Sequence, residues 1–320
     1  MKVLVVHSGN HKQVAPFIVE QAEALREAGC EVQLFAVEGH GIQGYLHCLP
    51  SLKRAIAEYR PDIVHAHYGL CGLLCTLQRK VPVVITYHGS DINNKTSRRF
   101  SLLAMRRAAY NIFVSKKLSE TAKPSPFKGG VPQRGVGVIP CGIDTHVFHP
   151  MPHEEAIKVL EQKPIIQAIK QSNNQAIKFV LFAGAFDNEV KNPQLAKETC
   201  ALVPDAILLE LKGYSRTEVA ALMNIVDMLL MTSHSEGSPQ VVKEALACGL
   251  PVVSVDVGDV AETTSNVANC RIVKDKSPLK LADAIESVIK SSHRIQTDIS
   301  KFDNREIARQ LVQIYKCAIA

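Results

Sequence analysis

Short runs of β-branched and apolar residues alternate with longer amphipathic stretches through most of the chain, and this alternation leaves few folds open. A run of four to seven such residues bounded by turn formers is strand-sized, and a helical stretch between two strands returns the chain parallel to where it began. Strands are expected at Val3–His7, Glu31–Val37, Asp62–Ala66, Val83–Tyr87, Asn111–Ser115 and Val136–Pro140. Helices fall between them near Val14–Ala28, Leu52–Tyr59, Leu70–Gln78 and Ser97–Ala108. The rhythm breaks at His149-Pro150-Met151-Pro152 and passes through a polar stretch that holds Gln171-Ser172-Asn173-Asn174. It resumes with strands Phe179–Ala183, Ile207–Leu211, Asp227–Thr232, Val252–Val255 and Cys270–Val273, and helices Pro193–Leu202, Glu218–Met223 and Leu279–Lys290. The expectation is an α/β protein of two doubly wound, Rossmann-like domains, residues 1–150 and 151–304, with a last helix over Arg305–Ala318 placed to pack back on the first. At 320 residues and 46% apolar, the chain has enough material for two such cores.

Within the second half, one stretch concentrates the chemistry. Ser235-Glu236-Gly237-Ser238-Pro239 reads as a loop, Gln240 to Cys248 as a helix, Gly249 as its left-handed stop and Val252-Val253 as a strand. Pro239 suits a first helical turn, with Ser238 or Gly237 before it as N-cap. Glu236 then lies just outside the helix start, while Glu244, five residues after Pro239, lies about 7.5 Å down its axis. Two carboxylates beside outward-pointing N–H groups suit a ligand with several hydroxyls and a nearby anion.

The wording of that stretch, two glutamates separated by seven residues and followed by Ala-Leu-Ala-Cys-Gly-Leu-Pro-Val-Val, is similar to the donor-binding segment of family 4 glycosyltransferases, retaining enzymes of the GT-B fold. Four further segments resemble that family in order. Ser8-Gly9-Asn10 follows the first strand, where the family has a Gly-rich turn. Thr86-Tyr87-His88-Gly89-Ser90-Asp91 resembles its His-Gly-x-Asp loop. Ile139-Pro140-Cys141-Gly142-Ile143-Asp144, with Phe148 and Pro150, resembles the hinge that ends its first domain. Phe182-Ala183-Gly184-Ala185 through Lys191-Asn192-Pro193 matches its phosphate segment, except that Ala185 stands where the family carries an arginine. Lys12 and helix N-termini are candidates for the missing charge.

The resemblance implies two domains facing across a cleft and transfer of a sugar from a nucleotide-diphosphate donor to an acceptor hydroxyl. Carried over by position, Glu244 binds ribose hydroxyls and Glu236 sugar hydroxyls, helped by the N–H groups of Gly237 and Ser238 at the Pro239 helix. Lys191 neutralises the departing diphosphate, Gly9 lets backbone approach it, and His88 orients the sugar. No Asp-x-Asp follows an apolar strand, so neither a metal nor another cofactor is expected. A sugar-nucleotide epimerase or hydrolase of similar fold, and a non-catalytic nucleotide-sugar binding protein, remain as alternatives.

Other features are read as bystanders or as hints about partners. Gly39-His40-Gly41-Ile42-Gln43-Gly44 spells GxGxxG but follows the second strand, so it is expected to be a flexible acceptor-side loop rather than a dinucleotide site. His65 and His67 share one face of their strand with no third ligand in step, and read as structural or acceptor-side. Cys71 and Cys75, at helical spacing, read as core. Residues 1–150 hold 18 Lys and Arg against 10 Asp and Glu, while residues 151–320 hold 19 against 21. The excess, with Arg98, Arg99, Arg106 and Arg107 on one expected helix and Lys116 and Lys117 beyond it, points to an anionic membrane surface or a lipid-diphosphate-linked glycan acceptor. With 5% aromatic residues and no stacking pattern, nucleic acid is not indicated. No apolar run approaches the ~20 residues of a membrane span. Met1-Lys2 leads straight into a strand rather than a signal peptide, and nine unspaced cysteines suit reduced thiols, so a cytoplasmic location is expected.

Overall fold

A computed structural model describes the chain except for residues 11–13, 123–134, 172–176 and 292–293. Lys12 therefore lies outside the described residues, as does most of the polar run after Gln171. Among the described residues the strands form two wholly parallel sheets. The first joins β1 (Lys2–Ser8), β2 (Glu31–Val37), β3 (Ile63–His67), β4 (Val83–Tyr87), β5 (Tyr110–Phe113) and β6 (Gly135–Val138) in the order β2-β1-β3-β4-β5-β6. The second joins β7 (Lys178–Phe182), β8 (Ala206–Glu210), β9 (Met228–Met231), β10 (Val252–Val255) and β11 (Arg271–Val273) in the order β11-β10-β9-β7-β8.

Strand alternation explains how the first sheet is covered on both faces. Leu4 and Val6 join Val64, Ala66, Ile85 and Tyr87 in one core cluster, while Val3 and Val5 join Ile63, Val84 and Ile112 in another. The final helix, Asn304–Ile319, completes the second cluster with Ile307, Ala308, Leu311 and Tyr315, a spacing that keeps one helix face apolar.

Two compact units result: Met1–Gly142 with Lys301–Ala320, and Ile143–Ser300. The division falls at Gly142, ahead of residue 150, for a local reason. A Cβ on Gly142 would lie 2.3 Å from Asn304 Oδ1 and 2.9 Å from Ile307 Cγ1, so the hinge-like segment ends where the returning helix presses on it. Asp144 then caps its own turn, accepting from the N–H of His146 at 2.9 Å, and Phe148 is buried in the second unit.

Other boundaries shift for similar reasons. Residues Gly41–His47 form a helix, so the glycine-rich segment is not a flexible loop. Gly39, at φ +144, and Gly44 touch backbone to backbone, and a Cβ on Gly39 would sit 2.7 Å from the Gly44 carbonyl carbon. The basic helix ends at Met105, which leaves Arg106 as its C-cap and Arg107 outside it. The helix expected from Glu218 starts at Arg216, because Ser215 and Glu218 form a capping box. No helix among the described residues is long and apolar enough to cross a membrane.

Candidate functional site

In the second sheet, the chain leaves β7 to one side for β8 and then crosses back to place β9 on the other. The carboxyl ends of β7 and β9 therefore flank a switch point, where loops part and a ligand can enter. After β7, Gly184 leads to a 3-10 turn over Glu189–Lys191, capped by Asn188, whose side chain accepts from the N–H of Val190 at 3.1 Å. Asn192 takes the left-handed conformation (φ 56) and starts the helix Pro193–Cys200. After β9, Thr232 Oγ1 lies 3.0 Å from the carbonyl of Lys191 and 2.9 Å from that of Asn192, and the N–H of His234 donates to the Val190 carbonyl at 2.9 Å. The two loops are thus stitched together, and their polar side chains meet: Lys191 Nζ donates to Glu236 Oε1 at 2.7 Å. Gly184 makes room for the lysine stem, since a Cβ there would lie 2.7 Å from Lys191 Cγ.

Glu236 leads into buried Gly237, Ser238 and Pro239. Pro239 occupies the N-cap of the helix Gln240–Ala247 with no side-chain cap, so neither Ser238 nor Gly237 is the cap. The reason is that the Ser238 hydroxyl is engaged elsewhere, donating to Asp259 Oδ2 at 2.6 Å. Among the described residues no backbone or side-chain acceptor takes the N–H of Gly237 or Ser238. Both residues are buried, and buried N–H groups are rarely left without an acceptor.

Glu244 is 3% exposed, and its Oε1 pairs with Arg216 Nη2 at 2.8 Å. The Arg216 guanidinium in turn lies over the Phe148 ring, 4.5 Å from its centroid, the side chain remaining one-third exposed. Sequence reading missed Arg216; a cation inside a Ser-x-x-Glu capping box was the one available signal. Missed too was Lys243, a cation on the apolar side of its helix between Pro239 and Ala247.

The arginine's absence at Ala185 is not made good by its immediate neighbours. Lys212 is bonded to Asp187 at 2.5 Å, and Lys197 lies over the Phe186 ring at 4.8 Å. Lys276, however, brings a second cation to the Glu236 loop, with Nζ 3.4 Å from the His234 carbonyl.

The first unit holds His88 and Gly9. His88 follows β4, and its Nε2 lies 2.9 Å from His67 Nδ1 while its Nδ1 faces Cys141 Sγ at 3.7 Å. Both ring nitrogens are thus engaged by the protein. His65 is bonded to Thr86 Oγ1 at 2.8 Å and to the Tyr315 hydroxyl at 2.6 Å, which ties β3 to the last helix. Burial, ahead of the neighbouring imidazoles, pushes His65 down to about 3 and holds His67 and His88 well below the usual range. Asp91 ends the loop, accepting at Oδ1 from the N–H groups of His88 (3.1 Å) and Gly89 (2.9 Å) and at Oδ2 from that of Gly69 (3.2 Å). Burial raises it to about 6 despite those donors. Gly9 donates its N–H to Val37 at 2.8 Å, and a Cβ on it would lie 2.9 Å from Ala36 Cβ, so its smallness serves the contact with the end of β2. Among the described residues no three or more His, Cys, Asp or Glu side chains converge as metal ligands would.

Comparison with known proteins bears on the family and the fold. Residues 14–147 match the family model Glycosyltransferase Family 4, and residues 161–303 match Glycosyl transferases group 1. A glycosyltransferase of Bacillus subtilis (strain 168), TuaC, whose name assigns it provisionally to teichuronic acid biosynthesis, is 28% identical over 245 residues, which cover 70% of this chain and 60% of TuaC. The chain thus spans less than two thirds of that relative's length. Two solved structures share the fold: sucrose-phosphate synthase (tll1590) from Thermosynechococcus elongatus, and Anabaena Alr3699/HepE in complex with UDP-glucose. The first has TM-score 0.80 and 17% identity, over 99% of this chain and 98% of that one. The second has TM-score 0.76 and 16% identity, over 99% of each chain. At such identities the likeness shows the fold alone, and that fold is GT-B.

Proposed function

This chain belongs to the family 4 glycosyltransferases of GT-B fold, and from that premise we propose that it moves a sugar from a nucleotide-diphosphate donor to an acceptor hydroxyl with retention at the anomeric carbon. The observation that carries this reading is the meeting of Lys191 with Glu236 at the β7–β9 switch point, beside two buried N–H donors. In the proposed reaction the bond from the anomeric carbon to the diphosphate oxygen breaks, and its electron pair goes to the phosphate. The acceptor oxygen bonds to the same face of that carbon, and its proton passes to a diphosphate oxygen. Lys191 meets the charge that grows on the leaving phosphate, with Lys276 as the second cation in place of the arginine absent at 185. Glu236 and the Gly237 and Ser238 N–H groups hold sugar hydroxyls, and Glu244 takes the ribose diol. Cations and dipoles fixed before the reaction are worth most here, because nothing must reorganise as charge develops. No metal is needed in this scheme.

His88 has a backed role rather than a free one: with both ring nitrogens engaged by the protein, it reaches a sugar only by exchanging one of those contacts for the substrate. HepE binds UDP-glucose, which makes uridine diphosphate sugars the first donors to try. The name of TuaC favours a surface polysaccharide as the product. Exposed Arg99, Leu103 and Arg106 support an acceptor presented at the cytoplasmic membrane face, where basic side chains meet anionic lipid.

The test is a thermal-shift screen of nucleotide sugars followed by product analysis. A donor that raises the melting temperature, and is then consumed with an acceptor to give a product of unchanged anomeric configuration, supports the proposal. Inversion of that configuration, or isomerisation of the donor without transfer, overturns it. Co-sedimentation with phosphatidylglycerol vesicles tests the membrane surface separately, and failure to pellet at low salt would remove it.

A further inference from the structure

Lys243 is fully buried, one turn into the helix Gln240–Ala247. Its Nζ donates to Ser238 Oγ and lies 3.4 Å from Asp259 Oδ2, the same oxygen that accepts the Ser238 hydroxyl at 2.6 Å. Three segments meet at this point: the helix, the loop that carries Glu236, and the turn after β10. Next to it, Gly258 (φ +54) backs the Glu236 loop, and a Cβ there would lie 2.8 Å from the Gly237 carbonyl oxygen and 3.2 Å from Glu236 Cβ. Burying a lysine and an aspartate is a poor way merely to fill space. An apolar pair of similar volume is as stable or more so, since the charges forfeit their hydration. What the charges supply instead is direction, because each bond is satisfied at one geometry only.

We infer that Lys243 is a positioning residue for the sugar end of the donor: through Ser238 and Asp259 it fixes the loop that holds Glu236 and the N–H groups of Gly237 and Ser238. The inference rests on the nucleotide-sugar reading above and deepens it. Glu244, proposed above to hold the nucleotide end, pairs instead with Arg216, its Oε1 2.8 Å from Nη2. Loosening the cluster therefore separates the two ends of the donor.

The experiment compares wild type with Lys243→Met/Asp259→Leu, which replaces the ion pair by apolar volume, and with Ser238→Ala, which removes only the shared hydroxyl. Binding of UDP-glucose, UDP-N-acetylglucosamine and GDP-mannose is measured against bare UDP and GDP, alongside melting temperature. Both variants are expected to melt near wild type and to bind the bare diphosphates as well. They should lose about tenfold or more of the preference for the sugar-bearing form, a loss on the scale of one misaligned charge-assisted hydrogen bond. Should the double variant fail to fold, Ser238→Ala carries the comparison alone. A folded variant that keeps the full preference overturns the positioning role. If wild type prefers none of the three sugars over its bare diphosphate, while Glu236→Gln changes nothing, the underlying reading fails instead.

Discussion

Lys191 Nζ and Glu236 Oε1 stand 2.7 Å apart, at the mouths of two loops that leave adjacent parallel strands. One side chain suits a departing phosphate and the other a sugar's hydroxyls, and without a donor they satisfy each other. On the function proposed above, an incoming diphosphate would compete for the lysine and release the carboxylate, so that binding at one end would ready the other. Lys191→Ala is expected to lower turnover about 10²- to 10³-fold with little change in melting temperature. Steady-state kinetics on a confirmed donor checks it, and turnover like wild type would take Lys191 out of the leaving-group role.

Gly184 gives a gentler version of the same test. Its added methyl in Gly184→Ala would press on Lys191 Cγ, the middle of a flexible side chain rather than backbone. The fold should survive, and turnover should fall about tenfold or more as the ammonium leaves its place. A crystal structure of the variant with Lys191 still on Glu236, and full activity, would count against this geometry.

Glu244 and Arg216 are coupled differently. Removing the carboxylate in Glu244→Ala should weaken nucleotide binding, while Arg216→Ala should leave the buried carboxylate without its 2.8 Å partner and cost about 1–3 kcal/mol of stability. Calorimetric titration with nucleoside diphosphate and chemical denaturation separate the two effects. Unchanged affinity in Glu244→Ala would move the ribose contact elsewhere.

Acid should loosen the first unit. His65 at about 3, and His67 and His88 well below the usual imidazole range, are kept neutral by burial, whereas in the unfolded chain they protonate near the ordinary value of about 6.5. Their folded pKa values are depressed, so the stability they carry is present above that value and is lost as pH falls below it. Each contributes a slope of up to about 1.4 kcal/mol per pH unit. Asp91, raised to about 6, opposes them with a single group, because the folded state binds its proton more readily than the unfolded chain does. Denaturation midpoints measured between pH 7.5 and 4.5 should therefore fall with acid, and His67→Gln should flatten the curve. A flat wild-type profile would contradict the buried-neutral assignment.

Tyr315 closes the first unit through its hydroxyl on His65 Nδ1. Tyr315→Phe leaves the ring in place but removes that bond, and a loss of about 0.5–1.5 kcal/mol is expected, measured by denaturation. No loss would mean that the last helix is held by its apolar face alone.

Much of this molecule was legible in one dimension because the features involved are local. β-Branched runs at strand length, amphipathic stretches between them, Gly249 after a helix and Pro239 before one declare their conformations through backbone sterics and the period of side-chain burial. Glu236, Lys191 and Glu244 were singled out by short motifs that resemble those of family 4 glycosyltransferases, and such motifs are also local in the chain. What contacts them was not legible, because contacts across a sheet depend on strand order, and the order β11-β10-β9-β7-β8 is a property of the whole domain. Only that order sets the β7 and β9 loops side by side and so joins Lys191 to Glu236. Only the packed interior shows that Arg216 holds Glu244 and that Lys243 is bonded to Ser238 and Asp259. It likewise shows that His88 is backed by His67, and that Gly9 and Gly142 are small to admit Ala36 and Asn304. A sequence specifies which groups are available, but a buried charge or hydroxyl must find its partner in three dimensions, and that partner is chosen by how the layers stack.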